Sequence, residues 1–199
     1  MKKKSLCFFL VLSILVLLMG SNTVVYASSQ EQESTSLQKA QQLLGKMTAE
    51  EKIGQLFLIT FQGDSIEEGS ELSAFLQDYQ VGGVILSRDN ENSTGPNDTV
   101  QTTFNLTSQL QRTVRENSLT GFINEELEQV SNNYVPLFIG ISQDGDSYPF
   151  DQIISGLSPL PNQMAIWATF STDLASASGE LLARELQALG FNLLLGPSL

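Results

Sequence analysis

Short apolar runs alternate with amphipathic segments along most of this 199-residue chain. Nearly continuous apolar runs are typical of strands buried on both faces of a parallel sheet. The runs predict strands at 56–61, 81–87, 136–142 and 193–195. The segments between them carry apolar residues at helical spacing, which is typical of helices that cover such a sheet. This alternation predicts an α/β protein with a parallel sheet.

The ends of the predicted helices carry recognisable signals. Two capping boxes, TAEE at 48–51 and SIEE at 65–68, predict helix starts because each offers a hydroxyl and a returning carboxylate to free amides. We expect helices over 37–44, after Thr48, over 72–79, and from Ser171 to Leu189 with Gly190 as the stop. A further helix is predicted with one apolar side formed by Val100, Phe104, Leu110 and Val114.

Two closures fit this order of elements. One is an open doubly wound sheet, and the other is an eight-stranded barrel, of which four strands would be only a part. Both closures place ligands at the carboxyl ends of the strands. The pattern alone leaves the choice open.

The first 27 residues differ from the rest of the chain. Three lysines precede an apolar run from Leu6 to Met19, and small residues follow up to Ala27. This layout predicts a secretory signal peptide over 1–27. The alternative, an uncleaved anchor, is disfavoured because the run is shorter than the roughly 20 residues that span a bilayer. We therefore expect export, a flexible linker over 28–36, and one folded domain over 37–199.

Charge and composition exclude several functions. Removal of residues 1–27 takes away three of ten basic residues and none of 22 acidic ones, which changes the net charge from −12 to −15. Such a surface disfavours nucleic acid and anionic membrane as partners. The chain has no histidine, and its single cysteine, Cys7, lies in the predicted leader. Serine–histidine pairs and His- or Cys-based zinc sites are thus excluded, and no metal or cofactor site is predicted.

Polar side chains follow each of the first three predicted strands. Asp64 follows the first, Asp89 and Asn90 follow the second, and Asp144 and Asp146 follow the third. Carboxylates accept hydrogen bonds from sugar hydroxyls, and pairs of them perform glycoside hydrolysis. The competing interpretation is that these residues only form turns and helix caps.

Five segments in order carry a resemblance to a known family: MTAEEKIGQLFLITF, VGGVILSRDN, PLFIGISQDGD, LPNQMA and ARELQALGFNLLLGPSL. They resemble the N-terminal catalytic domain of glycoside hydrolase family 3, especially its bacterial β-N-acetylhexosaminidases. The resemblance implies a (β/α)8 barrel of the TIM type, of which this chain would supply about four βα units. It also implies that Leu199 is an internal position and that the nucleophilic Asp and the acid/base His lie beyond it. No catalytic residue is therefore expected within the chain.

We expect Asp144, Asp64 and Asn90 to bind substrate because all three follow predicted strands, and Asn90 also matches the family pattern. The sequence departs from that pattern at other positions, and Asp89 stands where the family usually has an Arg. Ser142 stands where the family has a substrate-contacting Asp, and Phe150 stands where it has an Arg. These departures affect the expected activity.

Three hypotheses follow. The first is a fragment of an exported, retaining hydrolase of β-linked cell-wall amino sugars, with a carbohydrate substrate, no cofactor and no stable membrane insertion. The second is a homologue that binds carbohydrate without cutting it. The third is an unrelated exported α/β domain that binds a solute.

Overall fold

A computed structural model describes residues 23–67, 69–93, 99–120, 122–123, 129–130, 133–149 and 151–196. The chain divides into two compact units, residues 1–47 and 48–199. The predicted signal sequence lies largely outside the described residues. Within the described ranges, no helix combines the length and the apolar character needed to cross a membrane.

The first unit contains one described helix, α1, over Thr23–Lys46. This helix includes residues 28–36, for which the sequence predicted a flexible linker, and the structure therefore differs from that prediction. The physical reason is local composition: residues 28–36 contain no glycine or proline, and their Gln and Glu residues favour helix. The predicted helix over 37–44 is the last part of α1.

The second unit is built on a four-stranded parallel sheet. Its strands are β1 (Leu58–Ile59), β2 (Gly83–Ile85), β5 (Phe138–Ile141) and β6 (Leu193–Leu194). They pair in the order of the chain, with β1 beside β2, β2 beside β5, and β5 beside β6. A doubly wound sheet requires a reversal of strand order, which these four strands do not show. The α/β class is confirmed, and the order is consistent with a TIM-type barrel.

Helix α2 (Ala49–Gly54) precedes β1. The helices that connect the successive parallel strands are α3 (Glu71–Asp78), α4 (Thr99–Thr120), α5 (Gln163–Ala168) and α6 (Thr172–Ala188). A short antiparallel pair, β3 (Phe122–Ile123) and β4 (Gln129–Val130), lies between α4 and β5. A parallel pair needs such a crossover because its strands run in the same direction.

The hydrophobic core lies on one face of the sheet. Val84, Ile139 and Ile141 project from β2 and β5 and are at most 1% exposed. They form one cluster with apolar side chains of α3, α4 and α6, among them Leu76, Leu106, Leu110 and Leu186. Gly190 ends α6 with φ of 91°, and a Cβ there would lie 2.6 Å from Thr107 Oγ1. The covering helices are thus packed directly against the strands.

The opposite face of the sheet carries exposed apolar side chains in the part of the chain that the structure describes. Leu58, Gly83 and Phe138 are in register across β1, β2 and β5 on that face. Leu58 is 43% exposed and Phe138 is 54% exposed. We call this surface the open face of the sheet.

Several predicted boundaries need correction. The strand predicted over 56–61 is shorter because Leu56 and Phe57 close the turn after α2, donating to the carbonyls of Ile53 and Gly54. The SIEE segment does not cap α3. Ser70 does, accepting from Ser73 N at 3.2 Å, while Glu68 lies outside the described residues.

Two helical predictions also change. The predicted apolar side of α4 was partly wrong: Phe104 is 45% exposed, whereas Leu106, which the prediction omitted, is 1% exposed. The sequence predicted no helix between the third strand and Ser171, where the structure contains α5. The capping box of Thr48 and Glu51 and the Ser171 cap of α6 are confirmed.

Candidate functional site

The loops after β1 and β2 are joined by one buried side chain. Asn92, only 1% exposed, donates from Nδ2 to the carbonyls of Phe61 (3.0 Å) and Gly63 (2.7 Å). Its Oδ1 accepts from Ser87 N at 2.9 Å. The Asn92 amide therefore fixes the two loops against each other, because its nitrogen binds the loop after β1 and its oxygen binds the loop after β2.

Two of the predicted site residues lie on these joined loops. Asn90 ends a 3-10 turn over Arg88–Asn90, and its carbonyl accepts from Gly63 N at 2.8 Å. Asp64 directly follows Gly63 and is exposed. Parallel strands end at the same edge of the sheet. At that edge, the hydrogen bonds of Asn92 and the bond from Gly63 N to Asn90 O place the backbone next to Asp64 beside that of Asn90.

The β2 loop is also joined to the segment that follows β5. Arg88 N donates to Gln152 Oε1 at 2.8 Å, and Ser93 Oγ donates to Gln152 O at 3.0 Å. The Arg88 guanidinium carbon lies 4.5 Å from the ring centroid of the exposed Tyr148, a cation–π contact. The Arg88 Nη1 is buried and finds no hydrogen-bond acceptor in the described part of the chain. These contacts fix the second strand-end loop against the third.

Asp144, the third predicted site residue, lies in the loop after β5 and is half-buried. The loop is shaped by Asp151, which is 6% exposed. Its two carboxylate oxygens accept from Gly145 N at 2.7 Å and from Ser147 N at 2.9 Å. Gly145 has φ of 93°, and a Cβ there would lie 2.5 Å from Pro161 O, so only glycine fits. Asp151 thus fixes the turn directly after Asp144.

Gln143 fixes the other side of the same loop. Its Nε2 donates to Ile153 O at 2.9 Å, and its Oε1 accepts from the amides of Gln152 and Ile153. The side chain thus binds the backbone of Gln152 and Ile153, next to an antiparallel bridge between Gln143 and Asp151. The backbone on both sides of Asp144 is held by buried hydrogen bonds.

Asp146 has a structural role in this arrangement. Its carboxylate accepts from Asn162 N at 3.0 Å and also from Asn162 Nδ2. Asn162 in turn caps α5, accepting from Ala165 N at 2.8 Å. The turn-and-cap interpretation therefore holds for Asp146.

A small cleft adjoins Asp144. It encloses about 70 Å3 and is lined by Asp144, Gly145 and Asp151 on one side and by side chains of α5 and α6, including Gln163 and Ser178, on the other. This space holds only a few water molecules, so a sugar ring would have to lie on the open edge above it. In the described ranges, no cluster of three or more potential metal-ligating side chains is found.

Sequence reasoning missed Asn92, Gln143 and Asp151 because their side chains bind backbone amides and carbonyls of irregular loops, which follow no periodic pattern. Asn92 binds residues about thirty positions earlier. Ser142, at the position of the family's substrate-contacting Asp, is half-buried directly after β5. Phe150 lies outside the described residues.

The site can offer carboxylate and amide acceptors, hydroxyls and one guanidinium to a neutral polar ligand.

Comparison with known proteins agrees with this architecture. The family model described as "Glycosyl hydrolase family 3 N terminal domain" matches residues 48–199. A search of curated proteins found no match.

Solved structures also resemble the chain. A fungal multi-domain family 3 β-N-acetylglucosaminidase is 24% identical with a TM-score of 0.59, covering 75% of this chain and 15% of that one. NagZ from Neisseria gonorrhoeae, in complex with zinc ion, is 22% identical with a TM-score of 0.49, covering 70% and 35%. An exo-1,3/1,4-β-glucanase from a Pseudoalteromonas species is 18% identical with a TM-score of 0.49, covering 81% and 22%.

This chain therefore spans between about a sixth and a third of the solved relatives it matches. The likeness to the fungal enzyme supports the shared fold. The family model covers more than half of the chain and coincides with the second compact unit, so the chain belongs to the glycosyl hydrolase family 3 N-terminal domain family.

Proposed function

We propose that this chain forms the sugar-binding N-terminal part of an exported glycoside hydrolase that acts on β-linked amino sugars, such as those of cell walls. One observation carries the proposal. Residues 48–199 match a glycoside hydrolase family, and Asp64, Asn90 and Asp144 within them lie in loops at the carboxyl edge of a parallel sheet. Family membership disfavours the alternative of an unrelated solute-binding domain. The β-N-acetylglucosaminidase among the similar structures supports the choice of an amino sugar.

The proposed task of these residues is to bind and orient the sugar. Asp144 would accept hydrogen bonds from hydroxyls, and Gln143 and Asp151 keep its backbone in place. In a retaining mechanism a carboxylate forms a covalent glycosyl-enzyme intermediate while an acid/base group assists. The chain contains no histidine, so the acid/base His that the resemblance implies is not among these residues. We accordingly propose that this chain alone does not hydrolyse glycosides.

A second candidate is a homologue that binds glycans without cutting them. It is favoured by Ser142, because a neutral hydroxyl there cannot provide the charged hydrogen bond of the family's Asp. A hydrogen bond to a charged group contributes about 1.5–3 kcal/mol. Both candidates predict sugar binding at this edge, and they differ only in turnover by the longer protein.

The role of Asp144 can be tested by the substitution Asp144→Asn. Because the amide removes the charge and one acceptor, we expect affinity for chitobiose to fall about tenfold or more. Calorimetric titration measures the affinity, and a thermal melt checks that the fold is retained. Asp78→Asn, an exposed carboxylate at the end of α3, is the matched control and should bind like the parent. Equal affinity for Asp144→Asn and the parent would return Asp144 to a turn-forming role.

Export rests on the three-part pattern of residues 1–27. If a signal peptidase cleaves after Ala27, mass spectrometry of the secreted protein from a bacterial host should find Ser28 as the first residue. An intact Met1 in the membrane fraction would refute cleavage.

A further inference from the structure

Two aromatic side chains beside the candidate site are largely exposed. Trp167 is 71% exposed and Phe170 is 82% exposed, and their ring centroids are 5.2 Å apart. The neighbouring Met164 is 78% exposed. Large exposed apolar surfaces often mark binding sites in soluble proteins. We call Trp167, which lies in α5, and Phe170, two residues after the end of α5, the α5 aromatic pair.

Helix α5 links the pair to the cleft beside Asp144. Gln163, the first residue of α5, lines the same cleft as Asp144. Trp167 comes four residues later, so its side chain lies one helical turn from Gln163 on the same side of α5. The start of α5 is fixed to the strand-end loop because Asp146 binds both the amide and the side chain of Asn162. The start of α5 is therefore held by direct hydrogen bonds to the loop that contains Asp144.

The chemistry of the pair fits a neutral glycan. Each pyranose of a β-linked chain presents hydroxyls around its rim and C–H groups on its faces, and a flat aromatic ring covers such a face well. Trp and Phe provide large apolar contact area at low conformational cost. A second copy of this chain is a less favourable occupant because each copy carries a net charge of −12, and like charges repel. A neutral oligosaccharide experiences no such repulsion.

We propose that the α5 aromatic pair is a stacking subsite for further sugar units of a β-linked glycan whose end is bound at the strand-end loops. The inference rests on the proposed function and deepens it, because it assigns the site to oligosaccharides rather than to single sugars. It predicts that affinity rises with chain length.

The chain contains a single tryptophan, so its emission reports on Trp167 directly. Titration with N-acetylglucosamine should leave the emission unchanged, whereas chitotetraose should shift it to shorter wavelength. Calorimetry should show that chitotetraose binds at least about tenfold more tightly than the monosaccharide. Trp167→Ala and Phe170→Ala should each remove most of this difference and leave monosaccharide affinity unchanged.

Tyr79→Ala is the matched control. Tyr79 is 59% exposed and forms a comparable pair with Phe75 on α3, with ring centroids 4.5 Å apart. This variant should keep the full length dependence. Length-dependent binding that persists in Trp167→Ala would overturn the inference while the proposed function stands.

Two other results are decisive. If neither sugar binds the parent chain, both the inference and the proposed function are refuted. If sedimentation shows a dimer that Trp167→Ala dissociates, the pair serves a second copy of the chain, and the glycan subsite is refuted.

Discussion

Individual residues show where sequence reasoning reached the site and where it stopped. Asp64, Asn90 and Asp144 could be placed at one edge because each follows a strand, and parallel strands end together. The structural role of Asp146 could not be read, because its partner Asn162 is sixteen positions away. Asn92 was equally hidden, since an Asn in a polar loop gives no sign that its amide will be buried. Long-range hydrogen bonds determine these roles, and no local pattern encodes them.

Glu51 allows a test at the same scale. Burial alone would raise the pKa of this carboxyl, but hydrogen bonds from Asn133 N and Thr48 N, and from the Asn133 side chain, hold the pKa below its ordinary value of 4.5. A lowered folded-state pKa stabilises the fold above the unfolded value. That contribution disappears as the pH falls below about 4.5 and through the folded value.

We therefore expect Glu51→Gln to lower the free energy of unfolding by about 1–3 kcal/mol at pH 7. The difference from the parent should shrink as the pH falls below about 4.5, because the parent carboxyl then becomes neutral as well. Urea denaturation at several pH values measures this. Glu50→Gln, on the exposed side of α2, is the control. A difference that stayed constant with pH would show that the charge of Glu51 is unimportant.

At the scale of elements, type and order were predictable but boundaries were not. Apolar runs identified all four parallel strands, and hydroxyl caps identified the starts of α2 and α6 correctly. The strands were predicted too long because apolar residues such as Leu56 also occur in turns next to them. Helix α5 was missed because it has only six residues, too few to show a helical period.

The orientation of α4 gives the prediction at this scale. Leu110 is fully buried in the core, whereas Phe104 on the same helix is 45% exposed. Leu110→Ala should lower the free energy of unfolding by about 2–5 kcal/mol because it leaves a cavity among packed side chains. Phe104→Ala should cost less than about 1 kcal/mol. Chemical denaturation of the two variants compares them, and similar losses would mean that the helix is rotated from its described orientation.

For the molecule as a whole, the resemblance decided what periodicity could not. Alternating strands and helices allow either an open sheet or a barrel, and the order of strand pairing distinguishes them. That order depends on which edges meet, a long-range property that hydrophobic patterns do not record. The five motifs of the family supplied the missing information, and the pairing of β1, β2, β5 and β6 in chain order agrees with it.

The open face of the sheet has a consequence for the chain in solution. Leu58 and Phe138 leave about half of their surfaces exposed there, and the backbone groups on the outer sides of β1 and β6 have no strand beside them in the described sheet. Apolar surface next to unpaired strand edges favours association and dye binding. We expect the purified chain to bind the dye ANS and to associate as its concentration rises. Phe138→Ser should reduce both effects because it removes the most exposed side chain of the three residues in register on that face.

The matched control is Leu119→Ser. Leu119 is 76% exposed near the end of α4, so the substitution removes a comparable apolar surface at a site away from the open face of the sheet. Fluorescence of the dye and sedimentation over a range of concentrations measure the two effects, and a thermal melt shows whether each variant keeps its fold. A stronger response to Leu119→Ser than to Phe138→Ser would place the association on the helical layer instead. Weak dye binding by a monomeric parent chain would show that the open face is protected from water, which contradicts the exposure of Phe138.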